Sequence, residues 1–139
     1  MKITVKDITT QKKYSFGKDR VVIGRAADCD FVAPDPRLIE YIQRLHYTKI
    51  DYKVADQHAA LFVSRHKDHN QTPYVSLYLE DLGAGETCTS CVMPGHSFWE
   101  ERIAVTPNTS MHLQYGMATI ILGGYPLKIL LESDNEIVA

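Results

Sequence analysis

The residues to weigh first for chemistry are the cysteines and histidines. Cys88-Thr89-Ser90-Cys91 is a Cys-x-x-Cys pair, His96 follows five residues later, and Cys29 stands far upstream. Thiolates and an imidazole in such a pattern suit zinc, which takes four ligands in a tetrahedron. One pair without a second is a poor zinc signature, so three unlinked thiols are the plainer reading and neither bound metal nor cofactor is expected. Thioredoxin-like exchange needs the pair at a helix N-terminus in a βαβ unit, which the flanking residues do not predict. His66 and His69 fall in the polar stretch from Arg65 to Thr72 and read as solvated. There is no nucleophile motif, no phosphate-cradling glycine loop with a lysine, and no arrangement of paired carboxylates. Gly83-Ala84-Gly85 follows a strand-like run but opens no helix, so it is not a dinucleotide site. These residue types and spacings carry no catalytic constellation.

Composition narrows the partner. The chain has 139 residues, one domain's worth (1–139), with a formal net charge of −2. Its lysines and arginines are scattered among acids, and no basic stripe of the kind that tracks nucleic-acid phosphates is visible along the chain. No apolar run approaches the roughly 20 residues of a membrane span, and Met1 to Ile8 lacks the apolar core of a signal peptide. An odd number of cysteines does not suggest a disulfide framework. An intracellular, cytoplasmic setting is expected.

The elements that must carry these residues are strands. Period-two alternation or short apolar, β-branched runs mark Lys2–Ile8, Lys13–Phe16, Val21–Ile23, Phe31–Ala33, His58–Ser64 (apolar on both faces) and Tyr74–Leu82. The pattern resumes in Arg102–Val105, Met111–Gln114, Ala118–Leu122 and Leu127–Leu131. Turn signals punctuate them at Gly83–Gly85, Pro94-Gly95, Pro107-Asn108, Tyr115-Gly116 and Gly123-Gly124. Many short strands with regular turns mean an all-β sandwich or barrel. The expected core is Ile3, Val5, Val22, Ile23, Leu61, Val63, Val75, Leu77, Leu79, Ile120, Leu122, Ile129 and Leu131. One stretch differs. Asp35 to His46 reads as a short helix, capped by Asp35 with Pro36 in its first turn. Leu38, Ile42 and Leu45, with Tyr41 beside them, share a face that packs on the sheet edge or meets a partner.

The order of short motifs resembles one family across nearly the whole chain. They are Val22-Ile23-Gly24-Arg25, Cys29-Asp30-Phe31-Val32, Val54-Ala55-Asp56-Gln57-His58-Ala59 and Leu79-Glu80-Asp81-Leu82-Gly83. Met111 to Gly116 then leads to Ile120-Ile121-Leu122-Gly123. This series resembles the forkhead-associated (FHA) domain, with its Gly-Arg turn, Ser-x-x-His turn and Asp-Leu-Gly strand end. The resemblance implies a two-sheet β-sandwich of about ten to eleven strands, here with the segment 36–53 inserted beside the recognition loops. It implies a non-enzymatic module that binds phosphothreonine in a protein partner.

Carried over residue by residue, the resemblance makes Arg25 the phosphate-contacting arginine and Gly24 and His58 loop-stabilising residues. The remaining partner-binding candidates are Ala55, Asp56, Gly83, Glu86, Cys88, Thr89 and Ser90. Ala55 stands where the family has its phosphate-binding serine, Asp56 where a basic residue is common, and Glu86 or Cys88 where an asparagine is usual. A like charge at ~4 Å costs roughly 1–4 kcal/mol near a surface, against about 1 kcal/mol for a lost hydroxyl contact. The expectation is a retained fold with phosphothreonine recognition weak or lost, and with Asp56 paired to Arg25. Two alternatives stand beside it: a working phosphothreonine adaptor through Arg25, and a metal- or thiol-dependent protein using Cys29, Cys88 and Cys91.

Overall fold

A computed structural model describes residues 1–34, 53–83, 85, 89–94 and 102–139. In chain order the strands are β1 (Lys2–Asp7), β2 (Lys13–Phe16), β3 (Arg20–Gly24), β4 (Phe31–Val32), β5 (Ala59–Lys67) and β6 (Pro73–Asp81). They continue as β7 (Ser90–Pro94), β8 (Ile103–Val105), β9 (Ser110–Leu113), β10 (Met117–Leu122), β11 (Tyr125–Glu132) and β12 (Ile137–Val138). One sheet is ordered β2-β1-β11-β10-β7-β8, entirely antiparallel. The other is ordered β12-β6-β5-β3-β4, and β9 also pairs with β6. β9 and β12 lie end to end on the same edge of β6, opposite Leu77–Glu80 and Tyr74–Val75 respectively.

The core lies where the inward residues of both sheets meet. Ile3, Val5, Ile120, Leu122, Leu127, Ile129 and Leu131 come from the first sheet; Val21, Ile23, Leu61, Val75, Leu77 and Leu79 come from the second. All the core residues expected from sequence are buried except two. Val22 is half-buried because side chains alternate across a strand: with Ile23 facing inward, Val21 is its inward companion. The Val22 amide instead donates to Asp30 Oδ2 at 2.8 Å. Val63 is half-buried and packs against the core.

Twelve strands appear among the described residues, one or two more than expected. β7 carries Cys91 and ends on Pro94, which hides it from a propensity reading, and β12 is only two residues of parallel pairing. β5 runs on to Lys67, so Arg65 and His66 are strand residues rather than turn residues. His66 is half-buried and stacks on Tyr74, its cross-strand partner, at 5.2 Å between ring centroids. The turn itself is organised by Asp68, whose carboxylate accepts the Asn70 and Thr72 amides. The expected helix from Asp35 to His46 lies outside the described residues. The one helical feature described is a 3₁₀ turn, Gln114–Gly116. No helix among the described residues is long and apolar enough to cross a membrane.

One buried carboxylate ties the first sheet together. Asp7 ends β1 almost fully buried. Its Oδ1 accepts the Thr9 and Thr10 amides at 3.0 and 3.1 Å, folding the chain toward β2. Its Oδ2 accepts the hydroxyl of buried Tyr125 at 2.5 Å, across to β11. A charged acceptor in a dry site makes this a strong bond. Tyr125→Phe is expected to lower stability by about 1.5–3 kcal/mol, read as a lower urea midpoint with an unchanged slope; an unchanged midpoint would contradict the assignment.

Candidate functional site

The candidate site is built from the loops that leave β3, precede β5 and follow β6. It begins at Gly24. A Cβ there would overlap the Asp56 carbonyl, so only glycine lets the two loops touch. With that approach, the Arg25 amide donates to the Ala55 carbonyl at 3.0 Å and the Ala26 amide to the Asp56 carbonyl at 3.2 Å. The Gly24 carbonyl in turn accepts the Ala33 amide at 2.7 Å, closing the loop between β3 and β4.

His58 locks the arrangement. Its side chain is fully buried. Nδ1 accepts the Ala55 amide at 3.1 Å, which leaves Nε2 as the protonated nitrogen, donating to the Thr89 carbonyl at 3.1 Å. Its backbone joins in as well, the amide to Ile23 and the carbonyl from Leu82. The Thr89 carbonyl also accepts the Gly123 amide at 2.7 Å, and the Gly123 carbonyl accepts the Lys53 amide at 2.7 Å. Gly123 has φ of +57°, and a Cβ on it would overlap the Lys53 carbonyl. The tight β10–β11 turn is therefore bound to the loop ends at Lys53 and Thr89.

Asp81 secures the third loop. It is buried at the end of β6, with Oδ1 accepting the Gly83 amide at 2.8 Å and Oδ2 accepting the Ser90 hydroxyl at 2.5 Å. Between this loop and the β8–β9 connection lies a cleft of about 320 Å³, lined by Asp81, Gly85, Thr89, Ser90 and residues 104–107.

Gly24, Arg25, Ala55, Asp56, His58, Gly83, Thr89 and Ser90 thus belong to one connected network. Arg25, Asp56, Gly83 and Thr89 are exposed and Ala55 is half-buried, while Ser90 is buried with its hydroxyl held by Asp81. Glu86, Cys88, His96 and the insertion residues Leu38, Tyr41, Ile42 and Leu45 lie outside the described residues. The expected ion pair between Asp56 and Arg25 does not form: the ion pairs among the described residues are Lys18–Asp30, Arg20–Glu80 and Arg65–Asp19. The two residues are joined through main chain instead, at Arg25–Ala55 and Ala26–Asp56.

The cysteines also separate. Cys29 is buried, and its thiol donates to the Asp56 carbonyl at 3.1 Å. Burial and the neighbouring Asp28 push its pKa up, with Asp30 and Asp56 adding to the effect against the Ala26 hydrogen bond. That holds it as a thiol, the form that does not ligate metal. Cys91 sits on the outer face of β7, opposite Ile121 and Ala104, on the other sheet. Among the described residues no three metal-ligating side chains come together. Sequence reasoning missed Asp81, Gly123 and Lys53 as site-builders; the first two stood in quoted motifs, but nothing in the sequence signalled that Lys53 meets a β-hairpin.

Solved structures of FHA domains share this fold. An FHA domain studied for phosphothreonine-dependent interactions matches 96% of the chain over its own full length, with a TM-score of 0.53 and 17% identity. The FHA2 domain of Rad53, complexed with a phosphotyrosyl peptide derived from Rad9, matches 99% of the chain over 81% of its own, at 0.58 and 16%. EmbR of Mycobacterium tuberculosis, in complex with a low-affinity phosphopeptide, matches 96% of the chain over 25% of its own, at 0.56 and 16%. No protein-family model and no curated protein sequence matches the chain. The chain has the FHA-type β-sandwich fold.

The neutral His58 makes a pH prediction. Burial lowers its pKa below 6.5, with the Thr89 carbonyl and Asp81 pulling partly back. Protonation would also turn Nδ1 into a donor facing the Ala55 amide. A base whose folded pKa is depressed contributes stability above its unfolded pKa and loses it as pH falls below that value. Unfolding free energy is therefore expected to hold above pH 7 and to decline below about 6.5, by up to about 1.4 kcal/mol per pH unit. His58→Gln should flatten the decline between pH 6.5 and 5.5 in urea titrations; a wild-type profile flat across that window would refute it.

Proposed function

Starting from the fold it shares with FHA domains, we propose that this chain is a protein-interaction module that binds a partner segment at the loop end of the sandwich, with phosphothreonine adding little to affinity. The network of Gly24, His58, Thr89, Asp81 and Gly123 supports a rigid binding platform. The single observation that carries the reading is the acidity of that platform. Asp28 and Asp56 stand exposed on the two loops that meet at Arg25, and the one other carboxylate there among the described residues, Asp30, is paired with Lys18. A phosphate dianion arriving there meets one guanidinium, no Ala55 hydroxyl, and a field of the wrong sign. The function is recognition, not catalysis.

A second reading keeps phosphothreonine as the ligand. It is favoured by one feature: Arg25 is exposed and Asp56 does not occupy its guanidinium. Anisotropy titrations of phosphothreonine and threonine peptide libraries separate the two. Phosphorylation is expected to change affinity less than tenfold, about 1.4 kcal/mol. Ala55→Ser with Asp56→Arg should raise phosphopeptide affinity, and Arg25→Ala in the natural background should alter phosphate discrimination little. Micromolar, phosphorylation-dependent binding that disappears in Arg25→Ala would establish the second reading instead.

A further inference from the structure

Folding assembles a basic row that the linear sequence hides. Lys6 on β1 lies directly opposite Lys13 on β2 and directly opposite Lys128 on β11. Directly paired residues share a face of the sheet. Since β-strands lie about 4.8 Å apart, the three ammonium stems stand in a line roughly 10 Å long. They point away from the core, because Val5 and Asp7 on β1 and Leu127 and Ile129 on β11 are the buried alternates. Lys13 and Lys128 are exposed and Lys6 between them is half-buried. Exposed Lys12 in the adjoining turn adds a fourth charge.

No acid among the described residues neutralises the row. None of the four lysines is in an ion pair among the described residues. The first acid along these rows is Glu132, opposite Lys2. It stands four residues beyond Lys128, roughly 13 Å along the strand and past the screening length at physiological salt. Like charges directly opposite destabilise a sheet, so the row opposes folding until an anion covers it. The neighbouring row runs Ser15, Thr4, Leu130, Met117. In it Leu130 is 36% and Met117 40% exposed. Cationic stems therefore border an apolar step.

We propose that this face of the first sheet binds an acidic, apolar-containing segment of a protein partner, its carboxylates on Lys13, Lys6 and Lys128 and its apolar residue on Leu130 and Met117. Charge complementarity selects the occupant. Lysines are separate point charges that suit a run of carboxylates, whereas one phosphate is best held by an arginine fork. A nucleic-acid tract needs a longer basic track than four lysines on a chain of net charge −2. The surface is distinct from the Arg25 loops and does not rest on the reading given above.

The test uses the full chain and a fluorescein-labelled peptide of alternating Asp and Glu with one central Leu, followed by anisotropy. Binding is expected to weaken as ionic strength rises from about 0.01 to 0.15 M, where the screening length falls from roughly 30 to 8 Å. Lys6→Gln with Lys128→Gln should weaken it at least tenfold, while the charge-preserving Lys6→Arg with Lys128→Arg retains it. Lys67→Gln on β5 and Arg25→Ala should leave it unchanged, and melting curves verify that each variant is folded. An affinity equal in the double glutamine variant and the natural chain overturns the proposal. So does binding of a DNA duplex or of phosphatidylserine vesicles as tight as that of the peptide.

Discussion

A single neutral imidazole holds the loop end of this sandwich together. His58 takes a hydrogen bond from Ala55 on one nitrogen and gives one to Thr89 on the other, so its tautomer is dictated from both sides. The residues it joins belong to different sheets: the segment before β5 belongs to the second, and Thr89 leads into β7 of the first. Apolar burial is non-directional and does not by itself dictate how the loop ends of the two sheets meet. Directional bonds across those ends do. Once the Thr89 carbonyl is placed, the β10–β11 turn docks on it, and Lys53 docks on that turn.

One edge of the sandwich is closed by different means. Tyr14 on β2 and Phe31 on β4 meet edge to face at 5.3 Å, joining the edge strands of the two sheets. Lys18 and Asp30 pair beside them, and Asp30 also receives the Val22 amide. Those two bonds hold the Asp30 carboxyl below its ordinary range. Stability therefore depends on a few buried or half-buried carboxylates, each with a defined job: Asp7 fixes β1 to β11, Asp81 fixes the loop after β6, and Asp30 fixes the β3–β4 loop.

The same economy explains the charge distribution. The net charge of −2 conceals a separation. Asp28, Asp30 and Asp56 gather around the loop that carries Arg25, and Lys6, Lys13 and Lys128 gather on the outer face of the first sheet. Reading along the chain, each lysine has ordinary neighbours and no basic stripe is visible. The stripe exists only across strands, where residues 115 positions apart in sequence, Lys13 and Lys128, flank the same Lys6. The sheet pairing is what lines these three lysines up.

Strand positions, core residues and turns were legible because each is a local pattern. Alternation in Tyr74–Leu82 names Val75, Leu77 and Leu79 as inward whatever the partner strand is. Gly24 and His58 were legible through their place in short motifs. Where two apolar residues adjoin, as at Val21 and Val22, local pattern is ambiguous, and only packing on the opposite sheet chose Val21. Pairing between residues distant in sequence was not legible at all. The expected Arg25–Asp56 ion pair followed from the places those residues take in the family resemblance, whereas in the structure the backbones of the two loops make the contact. The sequence by itself determined an all-β chain and its inward faces, because side-chain periodicity and turn chemistry act over a few residues. The tertiary structure alone decided which loops His58 joins, how Cys29 and Cys91 part, and where the lysines align, because strand register is a long-range choice made by the whole core.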